Sequence, residues 1–272
     1  MVKVYEGTPE QYTMDGYLVQ NLNTAKNVIK KDWDFVFIVD GLERSGKSQF
    51  SFQCAKYCDP SFNIDRIAFT PDRFKELVLH SQRYQAIVYD EAFTGMSSRA
   101  AMSKVNRLLN QMMAEIGQKN LFIFITMPSF FDLDRYIGLH RSVALAHIYT
   151  GDGFERGFFS FYNREKKKIL FLKGKKLYSY KEPTPNFYGR FTNHFVIDEE
   201  EYRKRKREAL QHNEKIRDDD EFQEAVKWEI FNRVYDLEWL TVKQKCYLVG
   251  ISVPYFFILQ RERRAEAQKE DI

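Results

Sequence analysis

Apolar runs and amphipathic stretches alternate over the first 150 residues. The runs predicted as strands are rich in β-branched and aromatic residues and lie at 34–40, 66–69, 85–90, 121–126 and 143–149. Such nearly continuous apolar runs are typical of strands buried on both faces of a parallel sheet. Apolar residues at helical spacing predict helices at 16–32, 48–58, 71–80 and 99–118, with a shorter one near 131–139. Strands that alternate with helices predict an α/β fold, a parallel sheet flanked by helices.

The pattern changes after residue 150. Residues 151–197 are predicted as a basic, β-rich extension, in which short strands are joined by the turns NREKKK and KGKK. The mixed charges of 198–225 predict a solvated helical linker. Residues 226–272 regain apolar spacing, and a turn at 250–252 between two helices predicts a helix-turn-helix-like module. The first region, 1–150, is then an α/β domain that includes an N-terminal helix.

Charge is concentrated in one part of the chain. The net charge of the 272 residues is only +4, which by itself says little about partners. Residues 164–190, however, hold nine lysines and arginines against two glutamates. This segment interleaves the positive charges with aromatic residues, namely Phe171, Tyr178, Tyr180, Phe187 and Tyr188. Two interpretations stay open: a nucleic-acid surface, or a hairpin whose aromatic residues pack on the α/β domain.

The composition favours a cytoplasmic protein. The longest apolar run, 121–127, is much shorter than the roughly 20 residues of a membrane span. The first residues show no apolar signal-peptide core. The three cysteines, Cys54, Cys58 and Cys246, have no zinc-like pattern around them and are predicted to be buried thiols.

The stretch GLERSGKS, residues 41–48, matches G-x-x-x-x-G-K-[ST] between a predicted strand and a predicted helix. Glycines at both ends let backbone N–H groups converge on phosphates at a helix N-terminus, the lysine offsets phosphate charge, and the serine hydroxyl ligates Mg²⁺. The sequence therefore predicts an ATP and Mg²⁺ site. The alternative is a tight turn with a surface lysine. The predicted nucleotide contacts are Gly41, Arg44, Ser45, Gly46, Lys47, Ser48 and Gln49; Arg44 has a second possible role, contact with a neighbouring subunit.

Two adjacent acidic residues follow the strand at 85–90. Asp90 is predicted to hold Mg²⁺ through a water, and Glu91 to orient the attacking water. An acid pair in this position favours hydrolysis over transfer to another acceptor. A capping or surface role is the alternative for Glu91.

These residues resemble the P-loop ATPases that carry an additional catalytic glutamate. Within that group the chain looks like the HerA/FtsK family of DNA-pumping ATPases and their viral packaging relatives, with the zonula-occludens-toxin-like ATPases nearby. The likeness covers about residues 34–150 and depends on LFIFITMPSFFDLDRYIGLHRS, 121–142, where Pro128 and Ser129 match the family. Met127 and Thr126 stand where the family has Arg and Gln.

The resemblance implies a RecA-like sheet in which the strand at 121–126 inserts between the strand before GLERSGKS, 34–40, and the strand that ends at Asp90, 85–90. The same resemblance implies that Thr126 is a polar sensor. It also implies ATP, Mg²⁺, a homo-oligomeric ring, double-stranded DNA as partner, and an arginine supplied by the next subunit. Arg99, Arg107 and Arg141 are candidates for this arginine, and Arg141 is preferred because it follows the sensor segment.

The function predicted from these features is an ATP-hydrolysing motor that translocates or packages DNA, viral or from a mobile element. The first alternative is a nucleotide-dependent switch or DNA-binding adaptor with slow turnover. A phosphotransferase is the second, which the acid pair disfavours. The C-terminal module has two possible roles, DNA binding and protein docking, because its second helix begins with apolar residues.

Overall fold

The computed structural model describes residues 1–90 and 99–270, with side chains except those of 99–104, 113–114, 212–222 and 265–270. The strands are β1 Val2–Val4, β2 Tyr12–Met14, β3 Phe35–Gly41, β4 Ile67–Ala68, β5 Ala86–Tyr89, β6 Phe122–Met127, β7 Ala144–Tyr149, β8 Phe158–Tyr162 and β9 Phe187–Arg190. The α-helices are α1 Gly16–Ile29, α2 Lys47–Cys58, α3 Pro71–His80, α4 Arg99–Lys119, α5 Arg164–Gly174, α6 Glu199–Tyr235, α7 Val242–Val249 and α8 Val253–Glu270.

Among the described residues, the main sheet has seven strands in the order β4-β5-β6-β3-β7-β8-β9. The first five are parallel, and β8 and β9 continue the sheet antiparallel. The predicted insertion of β6 between β3 and β5 is confirmed. Because parallel strands end at the same edge of a sheet, the residues that follow β3, β5 and β6 meet there.

Helices cover both faces of the sheet, as the apolar runs predicted. Along β3, Val36 and Ile38 point into one core, shared with α3, α4 and α5. Phe37 and Val39 point into the other core, shared with α1 and α2. The fold is thus an α/β sandwich around a mixed, largely parallel sheet.

Two local predictions were wrong. The stretch that begins NREKKK is helix α5 and not a basic turn, because Asn163 caps its first turn at 3.0 Å from Lys166 N and one face of the helix is buried. Near 131–139 a 3₁₀ turn, Phe130–Asp132, and a π-helical turn, Ile137–Arg141, replace the expected short helix.

The chain divides into two compact units, Met1–Ala209 and Leu210–Ile272. The division falls within α6, which runs through the whole segment predicted as a linker. In the second unit, α7 ends at Val249, Gly250 follows it in the left-handed conformation, and α8 starts at Val253. Its buried core consists of Phe231, Cys246, Val249, Phe256 and Leu259. Within the described parts of both units, no helix has the length and apolar character to cross a membrane.

Candidate nucleotide site

The loop between β3 and α2 requires glycine at both ends. Gly41 has φ +139°, and a Cβ there would collide with the carbonyl oxygen of Ile148 in β7. Gly46 has φ +103°, and a Cβ there would lie 3.0 Å from the ring of Phe191. Both backbone conformations belong to the region that only glycine adopts without strain. The two glycines of the motif are therefore fixed by geometry.

The loop is closed around one backbone carbonyl. The oxygen of Leu42 accepts from Ser45 N at 3.3 Å, from Ser45 Oγ at 2.7 Å and from Lys47 Nζ at 2.7 Å. Lys47 is only 6% exposed, so its ammonium is held at the loop. Arg44 is exposed at the outer side of the loop, with φ 61°.

The N-terminus of α2 is suited to an anion. Gly46 occupies the capping position and offers no side chain to the N–H groups of the first turn. Uncapped N–H groups at a helix N-terminus, together with the helix dipole, attract phosphate. Gln49, in the same turn, is 8% exposed, and its Nε2 has no hydrogen-bond partner among the described residues. The loop residues thus fit a bound phosphate group.

The carboxylate of Asp90 accepts hydrogen bonds from hydroxyl groups in distant parts of the chain. Its carboxylate is fully buried at the end of β5. Ser48 Oγ donates to Asp90 Oδ1 at 2.8 Å, and Thr126 Oγ1 donates to the same oxygen at 2.7 Å. The structure therefore brings together three of the residues that the sequence predicted. Hydroxyl and carboxylate oxygens are hard donors of the kind that Mg²⁺ prefers, and this ion usually takes one or two protein ligands beside water and phosphate. The pair Ser48 and Asp90 fits it.

Two residues of α6 also reach Asp90, and sequence reasoning missed both. Tyr202 Oη donates to Asp90 Oδ2 at 2.7 Å, and Lys206 Nζ lies 4.0 Å from the same oxygen. They belong to the charged stretch DEEEYRKRKRE, where a single tyrosine among charges was the one available signal. The start of α6 is fixed by Asp198, whose Oδ1 accepts from Glu201 N at 3.0 Å.

A second buried carboxylate, Asp40, lies at the end of β3. Its Oδ2 accepts from Phe130 N at 2.8 Å and from the hydroxyl of Tyr180, and its Oδ1 lies 3.0 Å from Nδ1 of His147. The ring of Tyr180 stacks on His147 with centroids 3.7 Å apart. Burial and the neighbouring Asp40 raise the pKa of Tyr180, so its hydroxyl stays protonated and donates. The hydrogen bonds of Asp40 thus connect β3 to the segment after β6.

The structure describes only part of the remaining candidates, namely the predicted glutamate and the three alternatives for an arginine from the next subunit. Glu91 lies outside the described residues, as does the side chain of Arg99. Arg107 is exposed on α4. Arg141 Nη2 pairs with Asp34 Oδ2 at 2.6 Å, at the opposite end of β3 from the loop. A seven-residue strand spans roughly 20 Å, so Arg141 is far from Lys47 of the same chain.

The basic segment 164–190 combines features of both interpretations. Phe171 is buried in the core, and Lys167 is fully buried as well. Tyr178 and Tyr188 are exposed. The exposed basic residues are Arg164, Lys173, Lys175, Lys176, Lys181 and Arg190. The segment therefore both packs on the α/β core and presents positive charge to solvent.

No family model matches the sequence, and no curated protein matches it. Among solved structures, the chain is similar to a DNA polymerase III gamma subunit-related protein from Thermotoga maritima, with 13% identity and a TM-score of 0.34. The match covers 49% of this chain and 47% of that one, so the chain spans about half the length of the structure it matches. A likeness this distant carries no information on function.

Proposed function

We propose that this chain binds ATP with Mg²⁺ at residues 41–48 and hydrolyses it. The observation that carries the proposal is the 2.8 Å contact between Ser48 Oγ and Asp90 Oδ1. The two residues belong to separate motifs: Ser48 lies in α2, which follows β3, and Asp90 directly follows β5, a strand that does not pair with β3. Their meeting at the uncapped N-terminus of α2 provides a metal ligand beside a phosphate site.

Each residue of the site has a distinct role. Lys47 neutralises phosphate charge by exchanging the Leu42 carbonyl for phosphate oxygens. Ser48 and Asp90 hold Mg²⁺, which supplies further positive charge to the phosphates when bound. Thr126, from β6, is assigned the role of polar sensor, which is supported by its hydrogen bond to the same oxygen of Asp90 that Ser48 contacts. Arg44, Ser45 and Gln49 are assigned the remaining contacts between the loop and the nucleotide.

Two further roles complete the catalytic proposal. Glu91 directly follows Asp90 and is assigned to the attacking water, where a carboxylate orients the nucleophile. Arg141 is assigned to the site of a neighbouring subunit in a homo-oligomeric ring. To act there, its guanidinium has to leave Asp34.

We further propose that hydrolysis drives the translocation or packaging of double-stranded DNA. The supporting observation is the exposed positive charge of α5 and the loop that follows it, with Tyr178 and Tyr188 exposed beside it. Lysines and arginines neutralise DNA phosphates, and aromatic faces pack on sugars or bases. The rival is a nucleotide-dependent switch or DNA-binding adaptor in which ATP controls assembly and turnover is slow.

The C-terminal unit is proposed to recruit a protein partner. Its helix α7 exposes Tyr247 and Leu248, and Trp239 just before it is 77% exposed. Large exposed apolar side chains favour a protein surface over base-edge readout, which uses polar groups.

The test compares the wild-type chain with Glu91→Gln and Lys47→Ala. Steady-state ATP hydrolysis is measured with and without double-stranded DNA at two salt concentrations, and binding of a fluorescent ATP analogue is measured in parallel. We expect Lys47→Ala to lose binding, and Glu91→Gln to keep binding but lose at least 100-fold in turnover, on the order of what loss of a water-orienting group costs. Lys75→Ala, which removes an exposed lysine of α3, is the matched control and should behave like wild type.

DNA should stimulate the wild-type turnover, and higher salt should weaken the stimulation. If the wild-type chain binds ATP but hydrolyses it at a negligible rate, and DNA does not change that rate, the switch or adaptor is favoured. Equal ATP binding by Lys47→Ala and wild type would contradict the nucleotide site itself.

A further inference from the structure

The carboxylate of Asp90 is held by hydroxyl groups from three different elements. Ser48 of α2 and Thr126 of β6 both donate to Oδ1, whereas Tyr202 of α6 donates to Oδ2 at 2.7 Å. A carboxylate offers about four acceptor positions, so with the donors of the described residues one position on Oδ2 is left beside these three bonds. A buried carboxylate without such donors would be strongly disfavoured.

Tyr202 therefore acts differently from the other two donors. Two donors on Oδ1 fix the position of that oxygen but let the carboxylate plane turn about it. The bond from Tyr202 fixes Oδ2 and with it the direction of the remaining acceptor position. Lys206, 4.0 Å from Oδ2, adds positive charge on the same side.

The phenol ring of Tyr202 is itself held in place. Its ring lies 5.1 Å from that of Phe52, 5.8 Å from that of Phe69 and 6.1 Å from that of Phe195, measured between centroids. One turn further along α6, Arg205 pairs with Asp65 at 2.9 Å. A side chain locked by packing and by its helix is the kind of second partner that orients a metal ligand.

We propose that Tyr202 is a positioning residue of the nucleotide site, which sets the affinity of the site for Mg²⁺ by fixing the orientation of Asp90, with Lys206 in support. Helix α6 is thereby part of the site, although it begins more than a hundred residues after Asp90. This inference rests on the proposed function, since it assigns Mg²⁺ to Ser48 and Asp90.

The test is a Mg²⁺ titration of the full chain in the presence of a fluorescent, non-hydrolysable ATP analogue. Tyr202→Phe removes the hydroxyl and keeps the ring packing. We expect the Mg²⁺ concentration for half-maximal binding to rise about tenfold, within the range for loss of a partner that orients a metal ligand. Binding of the analogue in EDTA, which depends on the loop alone, should stay unchanged.

Tyr12→Phe is the matched control. Tyr12 is buried, and its hydroxyl donates at 2.8 Å to the carbonyl of Gln53 instead of to Asp90. It should lose comparable stability and keep the wild-type Mg²⁺ titration. Lys206→Gln, whose side chain is partly exposed, should give a smaller rise and carries the test if circular dichroism shows Tyr202→Phe to be unfolded.

The test distinguishes failure of the positioning role of Tyr202 from failure of the proposed function. If wild type binds the analogue in a Mg²⁺-dependent way and folded Tyr202→Phe titrates identically, the positioning role is refuted and the proposed function stands. An equal shift in Tyr12→Phe would also refute it, because the effect would then follow from stability alone. If wild type does not bind the analogue with or without Mg²⁺, the proposed function fails and the inference falls with it.

Discussion

At the scale of single residues, Gly41 shows how tightly the loop is built into the sheet. It is the last residue of β3 and pairs with Ile148 of β7. Its positive φ and the closeness of the Ile148 carbonyl leave no room for a side chain. The proposed phosphate loop, residues 41–48, therefore starts from a backbone that another strand holds in place.

We expect Gly41→Ala to lower the free energy of unfolding by about 2 to 5 kcal/mol, since backbone strain and a steric clash add. The control is Gly7→Ala, because Gly7 also has a positive φ, +78°, but nothing lies within 4 Å of its added Cβ. It should cost only about 1 kcal/mol of strain. Urea unfolding of both variants measures the difference, and equal losses would contradict the clash.

Local patterns in the sequence were enough to single out residues that the structure brings together, such as Ser48 and Asp90. Lys47 and Ser48 follow from the spacing of the motif, and Asp90 follows from its place after a buried strand. Tyr202 and Asp40 were missed because their roles depend on contacts across 112 and 140 residues of sequence, to Asp90 and Tyr180 respectively. Such contacts have no local pattern.

At the scale of elements, α5 carries a buried lysine to the end of the π-helical turn Ile137–Arg141. Lys167 Nζ donates to the carbonyl of Gly138 and, at 2.9 Å, to Ser142 Oγ. Burial first, and then the charges of Arg164 and Lys168, together lower the pKa of Lys167 to about 7. Two backbone elements are thus joined through a titratable group.

This predicts a pH-dependent stability difference between wild type and Lys167→Met. Between pH 7 and 10.5 the unfolded chain holds a proton on Lys167 that the folded chain releases, so the stability of wild type relative to the variant rises with pH. The slope is at most about 1.4 kcal/mol per pH unit. Urea unfolding of both proteins from pH 6 to 10 measures it, and groups common to both cancel in the difference. A difference independent of pH in this window would be contrary evidence.

The elements of the parallel sheet were predictable because buried strands are uniformly apolar. Helix α5 was not, since NREKKK has the composition of a turn and its charges hide the buried face of Leu170 and Phe171. The asparagine cap at Asn163 was the available signal. The position of β6 between β3 and β5, in contrast, was anticipated through the resemblance alone, because local patterns do not encode neighbours in space.

At the scale of the whole molecule, the chain has two units with separate cores. The second unit packs around Phe231, which is fully buried. We expect Phe231→Ala to destabilise this unit by about 3–5 kcal/mol, because the removal of a buried ring leaves a cavity. Hydrogen exchange should accelerate in peptides from the second unit, while nucleotide binding by the first unit is retained.

Tyr247→Ala provides the control for this prediction. Tyr247 belongs to the same unit but is 87% exposed, so its removal should leave hydrogen exchange unchanged. Loss of protection around the phosphate loop in Phe231→Ala would mean that the two units unfold together.

The edge strands of the seven-stranded sheet affect how copies of the chain can associate. The border strands, β4 and β9, are two and four residues long in the part of the chain that the structure describes. Such short borders offer few backbone groups with which an incoming strand could pair, which protects a sheet from edge-to-edge aggregation. Subunits of the proposed ring would therefore contact each other through side chains. Their interfaces could then open and close without breaking backbone hydrogen bonds between strands of two subunits.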